Sequence, residues 1–181
     1  TATAPKKPNV VWIIMDTARQ DHFSCYGYPR DTTPVIDALA KEGIVYERAV
    51  SSAPWTVPAH ASMFTGVYPI MHGANGYTPN LTSGYPLIAE LLREAGYETA
   101  CFTNNPFISK TFGFDKGFAT FQEPRLMLQK NNMRSGDKGA AYTNNLIKEW
   151  LARVKKDRSF FLFINYLEPH QPCYELQESH L

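Results

Sequence analysis

The sequence is poor in the features that most quickly give away a function. Its 181 residues include only three cysteines, Cys25, Cys101 and Cys173, odd in number and widely spaced. They form no Cys-x-x-Cys pair and no disulfide framework. A reducing compartment is the default for such a chain, although a few free thiols are compatible with export. Charge of one sign is also lacking. The 18 basic and 17 acidic residues leave a net charge of +1, so no basic field argues for nucleic acid as a partner. No apolar run approaches a membrane span. The first residues, TATAPKKP, have no apolar signal-peptide core, which makes the cytoplasm the default location and leaves periplasm and secretion open. There is no GxGxxG or P-loop pattern, no HExxH and no GxSxG elbow, so those modes of nucleotide, zinc-protease and serine-hydrolase chemistry find no support. No internal repeat or low-complexity linker divides the chain.

What is present is ordinary globular material, 44% hydrophobic and 19% charged, long enough to bury a core. Val10–Met15 (VVWIIM) is a continuous apolar run rich in β-branched residues, the pattern of a strand buried on both faces. Thr33 to Gly43 has the grammar of a helix, with Thr33 as N-cap, Pro34 at the first helical position and Gly43 as the stop. Its apolar face is Val35, Ile36 and Leu39. A second strand is expected over Ile44 to Val50. Pro58 opens a short helix that Gly66 closes. Pro86 to Ala95 is an amphipathic helix with Leu87, Ile88, Leu91 and Leu92 inward and Gly96 as its cap. The strand Glu98 to Thr103 follows. Gln129 to Lys138 reads as a polar surface loop. Ala140 to Lys156 is a longer helix buried through Leu146, Ile147, Trp150, Leu151 and Val154, and Phe160 to Leu167 is a last apolar strand. This alternation predicts an α/β fold, a parallel sheet with helices on both faces.

In such sheets, ligands bind beyond the carboxyl ends of the strands. The residues at those positions are Asp16-Thr17, the Ser51 to His60 segment, Asn104-Asn105 and Glu168-Pro169-His170, all polar or reactive. Asp16, directly behind a buried strand, suits a divalent cation; it equally suits a helix N-cap or a partner for Arg19. Thr56 lies at the start of the short helix, where free backbone N–H groups favour an anion. A metal could make its hydroxyl a nucleophile there, or the residue could simply cap the helix. His60 is one turn further on and could touch the same anion or be an ordinary hydrogen-bonded group. His170, between Pro169 and Pro172, could contact a substrate oxygen or protonate a leaving group, or be a plain turn residue.

Taken together, PNVVWIIMDTARQDHFSCYGYPRDTTPVIDALAKEG, the stretch APWTVPAHASMFTGVYP, GFDKGF and NYLEPHQP resemble the N-terminal part of the sulfatase family, within the alkaline phosphatase superfamily. The likeness runs from Pro8 to about Pro172. It implies a three-layer α/β/α sandwich with a mostly parallel sheet, and residues 1–181 as the N-terminal portion of a single catalytic domain. It also implies a metal-dependent hydrolase of sulfate or phosphate/phosphonate esters. The implied catalytic residues are Thr56, His60 and His170, with Asn104 and His170 at the substrate. Asp16, Thr56 and Thr17 make up the implied metal set. The cation would be divalent, with Ca²⁺, Mn²⁺ and Zn²⁺ all open, and the substrate a small-molecule, carbohydrate or lipid ester.

Three departures from the family pattern shape that expectation. Thr56 stands where the family carries a cysteine or serine that becomes formylglycine. Threonine cannot yield that aldehyde because its Cβ bears a methyl, so no formylglycine is expected and Thr56 resembles instead the direct nucleophile of the superfamily's phosphodiesterases. The motif arginine is replaced by His60. The paired aspartates become Asp16-Thr17, and Thr103-Asn104-Asn105 stands roughly where the family has Gly-Lys-Trp-His. One carboxylate does not complete a cation site, so further ligands are expected from downstream residues. A phosphodiesterase or phosphomutase of the same superfamily, and a non-catalytic binding or scaffold fragment, are the alternatives.

Overall fold

The computed structural model describes residues 7–81, 84–131 and 137–172. Cys173 and part of the expected loop before residue 138 lie outside the described residues. The elements are β1 (Val10–Met15), α1 (Pro34–Glu42), α2 (Thr56–Thr65), α3 (Pro69–His72), α4 (Ile88–Glu94), β2 (Glu98–Thr103), β3 (Thr120–Gln122), α5 (Pro124–Lys130), α6 (Ala140–Arg153) and β4 (Phe160–Tyr166), with short 3-10 turns between some of them. The chain divides into two units, one of Thr1–Asp16 with Ser52–Leu181 and one of Thr17–Ser51.

The larger unit is built on the four strands, which pair in parallel in the order β1-β4-β2-β3. Parallel pairing requires crossovers, and helices supply them. On one face α2 and α4 bury Val57, Ala61, Phe64 and Ala89 against Cys101, Phe161 and Phe163. On the other, Ile147 of α6 packs on Ala100, Phe102, Leu162 and Ile164. This is the three-layer α/β/α sandwich expected from the alternation. Phe64 is the hub of the first face. Its ring stacks on Trp12 and meets Phe163, Phe114 and Phe118 edge-on, with centroids 4.9 to 6.0 Å apart. Truncating a buried ring of this size costs about 3–5 kcal/mol.

Several expectations are corrected. β1 is not buried on both faces. It lies at the end of the strand order, and Val11 and Ile13 on its second face are 52% and 53% exposed. The short helix begins at Thr56, two residues before Pro58, because a proline without an N–H is tolerated in the first turn. The helix after Pro86 begins at Ile88, where the Glu90 carboxylate accepts the Leu87 N–H at 2.8 Å, and Leu91 is exposed. Gln129 and Lys130 end α5 rather than opening a loop, and Lys138 is buried, its Nζ donating to the Glu168 carbonyl at 3.2 Å. The last long helix stops at Arg153, and Leu151 is exposed. β3 and α3 were not anticipated.

The smaller unit holds α1 and two 3-10 turns. Pro34 opens α1 as expected, but the Thr33 hydroxyl serves Asp37 and the Ser24 N–H rather than capping a helix N–H. Residues 44–50 form no strand, with Ile44 81% and Val50 91% exposed. An apolar run becomes a strand only where another strand accepts its hydrogen bonds. Val35 and Leu39 are exposed as well.

Gly117 fixes the approach of the loop before β3 to α4. Its φ is +82°, and a Cβ there would lie 2.2 Å from the Glu90 backbone N. Its carbonyl accepts the buried Thr99 hydroxyl at 2.7 Å. Gly117→Ala must therefore move backbone, and a loss above about 4 kcal/mol is expected. Thermal unfolding checks this; a near-unchanged Tm contradicts it.

Candidate functional site

The parallel sheet brings three chain segments to one edge. β1 runs on into Asp16, whose N–H donates to the Tyr166 carbonyl at 2.9 Å and extends the pairing with β4 by one bond. β2 runs on into Asn104 and Asn105, with the Asn104 N–H donating to the Asn165 carbonyl at 3.1 Å. The hub packing of Phe64 holds α2 across the same face, so its first residue, Thr56, arrives at this edge.

Asn105 joins them. Its Nδ2 donates to Asp16 Oδ2 at 2.6 Å and reaches Thr56 Oγ1 at 3.4 Å. Its Oδ1 accepts the Phe107 N–H at 2.9 Å, which fixes the orientation of the amide. Asp16 is 7% exposed and Asn105 3%. A buried carboxylate is costly without such a donor. The alternatives for Asp16 are not taken up: Arg19 pairs with Asp21 at 2.5 and 2.9 Å, and Arg19, not Asp16, occupies the N-cap position of the 3-10 turn that follows, without a side-chain cap bond. Thr56 is likewise no cap. It is the first residue of α2, and the N-cap position is Trp55, with no side-chain bond.

His60 is buried against the sheet. Its Nδ1 lies 2.8 Å from the Thr56 carbonyl and its ring meets Phe163 edge-on. Burial pushes its pKa down, opposed by the bond to the Thr56 carbonyl and by the charge of Asp16. His72, for which the sequence offered no role, accepts the Ala74 N–H at Nδ1 and donates from Nε2 to Ser62 of α2. Burial lowers its pKa too.

Asn104 is placed differently from Asn105. Its Nδ2 donates to Thr143 Oγ1 at 3.0 Å, and its Oδ1 accepts the Arg125 N–H at 3.2 Å. It ties the starts of α5 and α6 to the end of β2, and a substrate contact would require breaking those bonds. The sequence named the asparagine pair but chose Asn104; strand alternation separates the two faces without saying which one carries Thr56. His170 lies in the turn after β4, its Nδ1 2.6 Å from the Gln171 carbonyl, and no described hydrogen bond joins it to Asp16, Thr56 or Asn105. Thr17 belongs to the smaller unit and takes a left-handed backbone, φ +59°, a costly conformation for a β-branched residue.

The oxygen donors Asp16 and Thr56, held beside one another by Asn105, fit part of the shell of a hard divalent cation. They do not complete it. Among the described residues no group of three or more His, Cys, Asp or Glu could hold a metal ion. Nor, among them, is any helix long and apolar enough to cross a membrane.

The sandwich, with its polar residues gathered at the carboxyl edge of a parallel sheet, defines an α/β/α protein of the alkaline phosphatase type. The model of the Sulfatase family matches residues 8–180, and the chain belongs to that family. It is 41% identical over 96 residues to an ulvan-active sulfatase of Formosa agariphila, covering 53% of this chain and 19% of the relative. It is 25% identical over 198 residues to the uncharacterized sulfatase YidJ of Escherichia coli, covering 92% and 39%. The chain thus spans well under half the length of these relatives. Among solved structures, the phosphonate monoester hydrolase of Agrobacterium radiobacter superposes with a TM-score of 0.76 at 22% identity, over 93% of this chain and 43% of that one. A Vibrio parahaemolyticus protein of the alkaline phosphatase superfamily gives 0.73 at 25% identity, over 99% and 44%.

Both buried histidines make stability depend on pH in one direction. Their folded pKa values lie below the free value of 6.5, so on acidification the unfolded chain takes up protons first. Stability is full above the free value and falls below it, by at most about 1.4 kcal/mol per pH unit for each histidine, until the folded-state value is passed. Thermal melts from pH 7.5 to 5.5 should show the decline, with a shallower slope in His72→Gln. An equal slope in that variant contradicts the assignment for His72.

Proposed function

We propose that this chain is a portion of a single sulfatase-like catalytic domain, in a metal-dependent ester hydrolase that uses Thr56 as its nucleophile. The observation that carries the reading is the contact of one buried amide, Asn105 Nδ2, with both the Asp16 carboxylate and the Thr56 hydroxyl. A threonine that neither caps its helix nor points into the core is held where an anion would meet the helix N-terminus. The free N–H groups of Thr56 and Val57 face such an anion, since Pro58 has none.

A divalent cation bound at Asp16 would supply charge that makes the Thr56 hydroxyl more acidic and draws electron density from an ester oxygen. Asn105 orients Asp16 and Thr56 toward each other. Thr56 Oγ loses its proton and forms the bond to phosphorus or sulfur, the bond to the ester alcohol breaks on the opposite side with the alcohol taking up a proton, and water later cleaves the Thr56 ester to release the acid and restore the hydroxyl. The helix N–H groups stabilise the charge that develops. His170 completes the reading as the residue that contacts the ester group, and Asn104 as a support of that edge.

Threonine at this position favours phosphate diesters or phosphonate monoesters, and the structural likeness to a phosphonate monoester hydrolase supports that preference. The sulfatases among the relatives support carbohydrate sulfate esters. The second reading is a binding fragment with half a site, suggested by the single carboxylate, Asp16, beside Thr56.

Rates with aryl sulfate, aryl phosphate, phosphate diester and phosphonate monoester, each with Ca²⁺, Mn²⁺ or Zn²⁺, decide between them. The test uses the intact protein. Thr56→Ala should lower kcat/KM by at least about 10³-fold, about 4 kcal/mol, and chelation should remove activity. Metal-dependent turnover that survives in Thr56→Ala refutes the nucleophile, and no turnover of any ester supports the binding reading. Asn105→Leu should lower kcat/KM by about 10²-fold, since it frees both oxygens; an unchanged value contradicts the role given to Asn105.

A further inference from the structure

Two side chains on the α2 face of the sheet carry polar atoms without hydrogen-bond partners among the described residues. His60 is 4% exposed and its Nε2 is unpartnered; Asn165 is fully buried and both Oδ1 and Nδ2 are unpartnered. Each such atom costs stability unless something meets it, and native proteins rarely leave them in a group. They do lie in one region. Asn165 is two residues along β4 from Phe163, so the two side chains share a face. The His60 ring meets Phe163 edge-on, with centroids 6.4 Å apart. The strand neighbours of Asn165 in register are Ile14 and Thr103, one step short of the Asp16–Asn105 bond.

The chemistry of His60 Nε2 and Asn165 Nδ2 is complementary. A carbonyl oxygen only accepts, so His60 Nδ1, 2.8 Å from the Thr56 carbonyl, carries the proton. The neutral ring therefore presents a lone pair at Nε2. That lone pair repels an anion, so in this form His60 does not bind the transferred group. It calls for a donor, and Asn165 Nδ2 is a buried donor without an acceptor. A water molecule serves both groups, since it can donate to one and accept from the other.

We infer that Asn165 and His60 form one buried link, closed by an internal water that donates to His60 Nε2 and accepts from Asn165 Nδ2, and that this link positions the first turn of α2. The line runs from the central strand β4 through Asn165, the water and His60 to the Thr56 carbonyl. Both are positioning residues. The link stands on its own geometry, and only its kinetic consequence rests on Thr56 being the nucleophile.

Side-chain ¹⁵N NMR of the histidines tests the link in the wild-type chain. The expected result is a proton on His60 Nδ1 and a hydrogen-bonded lone pair at Nε2. A proton on Nε2 overturns the inference without any variant. Zn²⁺ added alone should leave the Nε2 resonance in place; a move to a coordinated position makes this a cation site instead. Asn165→Leu keeps the volume and removes the amide, and should shift the Nε2 resonance toward an unbonded lone pair while Nδ1 stays. An unmoved Nε2 resonance overturns the inference. In the intact protein the same variant should lower kcat about tenfold with KM nearly constant; an unchanged kcat refutes the positioning role. A wild-type protein that hydrolyses no ester removes the functional reading and leaves the ¹⁵N result to decide the link.

Discussion

The bond between Asn105 Nδ2 and the Asp16 carboxylate, 2.6 Å long and buried, is the constraint on which this edge of the molecule depends. A carboxylate at the end of a strand in an apolar layer is tolerated only with a donor close by. The donor here comes from the end of β2, two strands away across β4. Its placement requires the parallel register of all three strands, because only parallel strands end together. The contact of the same amide with Thr56 draws the start of α2 into the set.

The apolar core sets that geometry. Phe64, near the far end of α2, is gripped by Trp12, Phe114, Phe118 and Phe163. The helix buries Val57, Ala61 and Phe64 on the sheet. Fixing both the hub and the His60 end leaves the N-terminal turn little freedom, which is what a reacting hydroxyl needs. On the opposite face the asparagine neighbouring Asn105 performs a different task. Asn104 gathers the starts of α5 and α6 through Thr143 and Arg125. Two adjacent residues thus serve two faces.

Much of this was legible in the residues. The continuous β-branched and aromatic runs gave β1 and β4 nearly to the residue, and for β4 the reason is burial between helix layers, which leaves few polar positions. The strand ends then located the polar set without any geometry. Other parts were hidden for physical reasons. The run Ile44–Val50 has strand composition, yet pairing is a tertiary property and among the described residues these have no partner strand. β3 is only three residues long, too short for a period to show. The choice between Asn104 and Asn105 turned on which sheet face carries α2. The tautomer of His60 depends on a carbonyl one helical turn away. The family likeness gave the order of the motifs, and the departures at Thr56 and His60 are where the residues themselves had to be argued.

The central claim, that Thr56 takes the phosphoryl, phosphonyl or sulfuryl group of its substrate, is tested most directly by mass spectrometry. The intact protein would be quenched in acid during turnover of a phosphonate monoester or phosphate diester, and the peptide spanning Ala53 to Gly66 analysed. The account predicts a fraction of that peptide bearing the transferred group on Thr56. Steady turnover with Thr56 unmodified and another residue carrying the group would contradict it.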